Sequence, residues 1–135
     1  MTSVDGLRLE WRGAFDNREL NVLHAEGFGG PVRDDDWVAQ VEGHSLGWVT
    51  ARDAGRLVGF VNVAWDGGVH AFLLDTLVTG PFRGRGIGAR LVEAAVDASK
   101  AAGCEWLHVD WDGALAAFYL DACGFRPTEA GLIQL

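Results

Sequence analysis

The residues best suited to chemistry crowd into one short stretch, Pro81-Phe82-Arg83-Gly84-Arg85-Gly86-Ile87-Gly88. Glycines alternate at 84, 86 and 88, and Arg83, Arg85 and Arg90 concentrate three of the chain's 11 basic residues. A helix N-terminus exposes unpaired N–H groups and a partial positive charge, which together attract an anion. Glycine lets those groups approach a phosphate without side-chain obstruction. A bare strand-to-helix turn needs neither three glycines nor flanking arginines, so the stretch reads as a diphosphate-binding loop. It lacks the Gly-Lys-Ser/Thr of a Walker-type loop, and its G-x-G-x-G spacing is not the G-x-G-x-x-G of dinucleotide-binding folds.

The elements around the loop must position it. Leu7 to Arg12 alternates apolar and polar residues, as a half-exposed strand does. Asp16 and Glu19 have capping-box spacing, predicting a helix to Gly27, and Asp34-Asp35-Asp36 caps a second over Trp37 to Glu42, broken by Gly43 and Gly47. Leu46 to Arg52, Leu57 to Trp65 and Val69 to Val78 are strand-like runs separated by short glycine turns, predicting three adjacent antiparallel strands. Gly86 to Ala102 carries an apolar stripe of Ile87, Leu91, Ala95, Ala98 and Ala102 opposite a charged face, the pattern of an amphipathic helix. Trp106 to Trp111 reads as a strand, Ala114 to Cys123 as an apolar helix stopped by Gly124, and Gly131 to Leu135 as a last short strand. The order is that of a mixed α/β domain around one sheet.

Composition narrows the partners. A chain of 135 residues fits one domain, residues 1–135, and 22% charged residues is ordinary for a globular protein. A net charge of -8 speaks against nucleic acid and anionic membranes, both of which need a basic face. Met1 to Asp5 has no signal-peptide pattern and no apolar run is long enough to span a bilayer, so a cytoplasmic protein is expected. Cys104 and Cys123 read as reduced, partly buried thiols.

Taken with these elements, the loop resembles that of the GNAT superfamily of acyl-CoA-dependent N-acyltransferases. The family signature Arg/Gln-x-x-Gly-x-Gly/Ala is matched by Arg83-Gly84-Arg85-Gly86-Ile87-Gly88. Leu77-Val78-Thr79-Gly80-Pro81-Phe82 before it, and Phe118-Tyr119-Leu120-Asp121-Ala122-Cys123-Gly124-Phe125 near the C-terminus, resemble the family's strand-loop-helix and its helix ending in Gly-Phe. The resemblance implies a mostly antiparallel twisted sheet of about six to seven strands, splayed in the middle and flanked by about four helices. It implies acetyl-CoA as co-substrate, without a metal, and N-acetyl transfer to a primary amine of a small molecule or peptide by direct attack in a ternary complex. A catalytically silent acyl-CoA sensor is the alternative, and a homodimer is a state that the family allows. Backbone at Leu77 and Val78 would pair with the pantetheine arm, as an added strand does. Amides from Arg83 through Gly84, Arg85, Gly86, Ile87 and Gly88 to Ala89 would hold the diphosphate.

Acylating an amine requires its deprotonation, and the departing thiolate benefits from a nearby acid. Asp75 is the candidate base, sharing strand parity with Leu73 and Leu77 and so placing a carboxylate on an otherwise apolar face; a water-bridged structural Asp is the competing reading. Asp110, Asp112, His70 and His108 are alternatives. Tyr119 is the candidate acid, yet the family tyrosine usually stands where Leu120 stands here. One residue turns a side chain by about 100° on an α-helix, so only an irregularity such as a bulge would restore it. Of six tryptophans, Trp37, Trp48, Trp65 and Trp111 could face a cationic amine. The resemblance implies that the first two helices border the acceptor, which makes Phe28, Trp37 and Glu26 candidate contacts, and Trp111 joins them as an aromatic face.

Overall fold

A computed structural model describes residues 6–135; the reading of Met1 to Asp5 lies outside them. Five strands, β1 (Leu7–Trp11), β2 (Ser45–Asp53), β3 (Arg56–Trp65), β4 (His70–Val78) and β5 (Trp106–Val109), form one sheet in chain order. The first four are antiparallel, and β5 joins β4 in parallel. Helices α1 (Asn17–Phe28) and α2 (Trp37–His44) cover one face, and α3 (Ile87–Ala101) covers the other.

Local chemistry accounts for the helix starts. Asp16 accepts from the Glu19 amide at 2.8 Å while the Glu19 carboxylate accepts from the Asp16 amide at 3.0 Å. Asp36 caps α2 by accepting from the Ala39 amide at 3.1 Å. The α3 stripe of Ile87, Leu91, Val92 and Ala95 is buried against Val49, Val61, Val63, Ala71 and Leu73. On the other face Leu20, Leu23 and Trp37 meet Trp48, Phe60 and Leu77. Burying each large aliphatic side chain contributes about 1.5–3 kcal/mol, so these two layers fix both helices to the sheet.

Three expectations are corrected. Among the described residues the sheet has five strands, not six or seven, because Gly131 to Leu135 pairs with none of them and leaves Leu132, Ile133 and Leu135 exposed. Gly43 lies inside α2, and Gly47 lies inside β2, where an added Cβ would enter the Trp11 ring. The expected helix Ala114 to Cys123 is a 3-10 turn, Gly113–Leu115, followed by a π-helical turn, Phe118–Ala122.

Candidate active site

The parallel pairing of β4 and β5 runs from His70 opposite Trp106 to Leu73 opposite Val109, and there it stops. Beyond Leu73, β4 continues to Val78 with only β3 beside it. A cleft of about 820 Å³ opens in the gap, walled by Leu73 to Val78 on one side and by Trp111 and Tyr119 on the other. Its far end is the glycine loop.

A β-bulge shapes the first wall. Asn62 faces Leu74 and Phe60 faces Leu77, so Val61 alone stands opposite both Asp75 and Thr76. Asp75 takes a left-handed φ of 55°, which re-aims the strand. The parity expected for residues 73, 75 and 77 is therefore broken: Leu73 packs with the α3 layer and Leu77 with the α1 layer. Asp75 goes with Leu77, and its Oδ1 lies 3.6 Å from His24 Nε2 on α1. Thr76 turns the other way and accepts a hydrogen bond from the Tyr119 hydroxyl at 3.4 Å. Burial pushes the Asp75 carboxyl above its ordinary range, against the opposing pull of His24 and of a hydrogen bond from Asn62.

The second wall resolves the displaced tyrosine. Cys123 N–H reaches back to the Phe118 carbonyl at 3.0 Å and Phe125 N–H to the Tyr119 carbonyl at 2.9 Å, one residue further than α-helical endings reach. That π turn absorbs the extra residue before Gly124. Tyr119 is buried, stacked on Trp111 with ring centroids 5.5 Å apart, and turned into the cleft.

At the loop, Gly84 and Gly86 have φ of 74° and 80°, and Gly86 is the N-cap of α3. A Cβ at either position would meet nothing within 4 Å, so the glycines keep space clear beside the amides. Gly88 serves packing instead: its Cβ would lie 3.1 Å from the Phe118 ring. The arginine side chains are engaged in building the turn. Arg83 Nε donates to the Val78 carbonyl at 2.9 Å, so a strand-like arm pairing at that carbonyl has to displace it. Arg85 Nε donates to the Pro81 carbonyl at 3.3 Å, and Arg85 does not line the cleft.

The remaining candidates separate cleanly. Phe28 and Trp111 line the cleft, as do Asp110 and Asp112, and Phe28 is 64% exposed. Trp37, expected among the acceptor contacts, is core instead: it is 7% exposed and its indole N–H donates to Asn21 at 3.1 Å. Trp48 is likewise buried and Trp65 sits outside the cleft. Glu26 faces the loop, accepting from Thr79 Oγ1 at 2.9 Å and from the Gly80 amide at 2.9 Å. His70 and His108 pair with each other at 2.8 Å, at the end of β4 remote from the loop. Sequence reasoning missed His24. A carboxylate on an apolar face needs a partner, and His24 follows Leu20 by one helical turn on the buried side of α1.

The family model for the acetyltransferase (GNAT) family matches residues 10–125. Among solved structures, a GNAT family acetyltransferase from Streptococcus pneumoniae TIGR4 is 20% identical, with 96% of this chain and 97% of that one covered at a TM-score of 0.77. Glucosamine-6-phosphate N-acetyltransferase from Arabidopsis thaliana is 19% identical over 95% of this chain and 98% of that one, with a TM-score of 0.75. AAC(6')-Iy in complex with the bisubstrate analogue CoA-S-monomethyl-acetylneamine is 18% identical over 96% and 97% of the two chains, with a TM-score of 0.76. At such identities the likeness is one of fold. No curated protein matches the chain significantly. A family match running from residue 10 to residue 125, on a fold shared with these structures, makes the chain a member of the GNAT acetyltransferase family.

Proposed function

We propose that the chain transfers an acetyl group from acetyl-CoA to a primary amine of a small molecule or peptide, by direct attack in a ternary complex. One observation carries this reading: a single cleft joins a glycine-lined helix N-terminus to a carboxylate and a phenol. The amides of Arg83 to Ala89 hold the diphosphate, and Leu74 to Val78, unpaired on the β5 side, guides the pantetheine arm. Asp75 takes one proton from the substrate ammonium, and the neutral nitrogen bonds to the acetyl carbonyl carbon. As the carbon–sulfur bond breaks, Tyr119 Oη gives its proton to sulfur, with Thr76 Oγ1 orienting the hydroxyl, and the second proton shed by the nitrogen restores the phenol. Holding both substrates in one cleft supplies much of the rate.

The acceptor end of the cleft suits a cation. Asp75, Asp110 and Asp112 contribute carboxylates, and Phe28 and Trp111 contribute aromatic faces. The substrate named for the Arabidopsis structure and the analogue bound to AAC(6')-Iy both derive from amino sugars, in keeping with an amine acceptor.

Release of free CoA thiol from acetyl-CoA, measured across a panel of primary amines, tests the reading. Turnover of at least one amine is expected, and acetyl-CoA binding without any turnover would favour the sensor. Acetyl-CoA should also raise the melting temperature with concentration. Gly86→Glu should abolish that rise, because a side chain at φ 80° is strained and its charge repels phosphate. A preserved rise in Gly86→Glu places the diphosphate elsewhere.

A further inference from the structure

With Asp75 as the base of the proposed transfer, the amine proton must still reach solvent when two substrates occupy the cleft. The bulge supplies one. Asp75 lines the cleft, yet its carboxylate is turned toward the α1 face, with Oδ1 3.6 Å from His24 Nε2. His24 does not line the cleft, and its side chain is 28% exposed on the far side of Asp75. The imidazole is held between Phe28 and Trp37, with ring centroids 4.7 and 5.1 Å away. Trp37 is itself pinned by Asn21, so the aromatic clamp has a fixed wall.

We propose that His24 is the proton relay of this site, receiving the acceptor's proton from Asp75 at Nε2 and releasing one to solvent from Nδ1. This inference rests on Asp75 as the base. The steps balance: the ammonium gives one proton to the Asp75 carboxylate, which passes it to neutral His24, the imidazolium loses one from its other nitrogen, and proton exchange with solvent restores the starting tautomer. His24 thereby returns Asp75 to its anionic form for the next turnover. It acts through Asp75 and is a positioning and relay residue, not one that touches substrate.

The surroundings leave the pair electrically alone. From β4 the group facing His24 is Asp75, from α2 it is uncharged Trp37, and from α1 itself it is Phe28. On the Asp75 side β3 contributes the neutral amide of Asn62, and among the described residues His24 is the titratable group that acts on that carboxyl. Glu26, two residues along α1, is turned to Thr79 and Gly80 instead.

Two measurements on the full chain test the relay. In the first, the ring nitrogens of the four histidines are recorded by NMR at one neutral pH and His24 is identified by its loss in His24→Gln. Asp75→Asn should move the His24 Nε2 resonance, because the carboxylate facing that nitrogen favours one tautomer. An unmoved resonance overturns the pairing without bearing on the transferase reading. In the second, thiol release is followed against pH for whichever amine is turned over. The wild-type acidic limb belongs to the pair as a unit. In His24→Gln that limb belongs to Asp75 alone and should move to higher pH, because His24 opposes the burial that raises the Asp75 carboxyl. kcat should fall about tenfold or more while KM for acetyl-CoA stays constant. A limb that stays in place overturns the relay even if the rate falls, because a merely structural histidine would change rate alone. If the wild type turns over no amine at all, it is the transferase reading that fails, and the NMR result still decides whether the pair exists.

Discussion

Asp75 carries two local costs, one of backbone and one of charge. Its φ of 55° is unusual for any residue but glycine, although aspartate and asparagine tolerate it best. Its carboxyl is also held above the ordinary range, burial outweighing His24 and Asn62, so the ionised form is disfavoured by folding. A raised folded-state value means that the fold binds this proton more tightly than the unfolded chain does. The resulting destabilisation is present at neutral pH and disappears as pH falls through the raised value. Asp75→Asn should therefore raise the melting temperature at pH 8, with the gain shrinking in acid, while turnover collapses. Asp75→Val should lower it by several degrees, since a β-branched residue at positive φ costs about 1–2 kcal/mol. Calorimetry of both variants checks the signs; equal melting of wild type and Asp75→Val would remove the strain argument.

At the scale of elements, the π turn decides whether Tyr119 faces the cleft. Inserting one residue into a helix is commonly absorbed as a π-bulge, and Asp121 is an exposed residue within that turn. Deleting Asp121 should leave Tyr119 four residues before Gly124 in a regular α turn. Such a variant is expected to fold with equal or higher melting temperature and to keep acetyl-CoA binding and turnover; loss of turnover in a folded, CoA-binding variant would show that the bulge does more than restore register. The same element shows which features were legible in sequence. The capping box of α1, the α3 stripe and the glycine loop depend on residues close in the chain, and the structure forms them where spacing requires. The β4 bulge depends on pairing with β3, and nothing in Leu73-Leu74-Asp75-Thr76-Leu77 alone marks where it falls. His24 meets Asp75 only because α1 crosses that bulge, a relation that no local pattern encodes. Gly131 to Leu135 has strand-like composition, but apolar residues form a strand only where a neighbour offers hydrogen bonds, and none does here.

Across the whole molecule, one carboxylate ties helix α1 to the start of the glycine loop. Glu26, in the last turn of α1, accepts from Thr79 Oγ1 and from the Gly80 amide at the start of the loop. Arg83 closes the circuit by donating to the Val78 carbonyl at 2.9 Å and, at 3.5 Å, to the Glu26 carbonyl. The helix bearing His24 and Phe28 is thus bonded to the loop that would hold diphosphate. The Gly80 amide, followed by the Thr79 hydroxyl, holds the Glu26 carboxyl below its usual 4.5, burial opposing. For a depressed carboxyl the stabilisation is present above the unfolded value and is lost as pH falls through the folded one. The loop should consequently loosen below about pH 4.5 and be intact at neutrality. Glu26→Gln reproduces the loosened state at neutral pH, because an amide oxygen accepts more weakly than a carboxylate. Calorimetric titration with acetyl-CoA at pH 7 should find affinity reduced by up to about tenfold, the effect being limited by the exposure of Glu26. Wild type and variant should converge as the pH is lowered, since protonation removes the same charge from the native residue. Identical affinities at pH 7 would mean that the loop holds its shape through Arg83 and its own glycines, and that the two sides of the cleft are not coupled through α1.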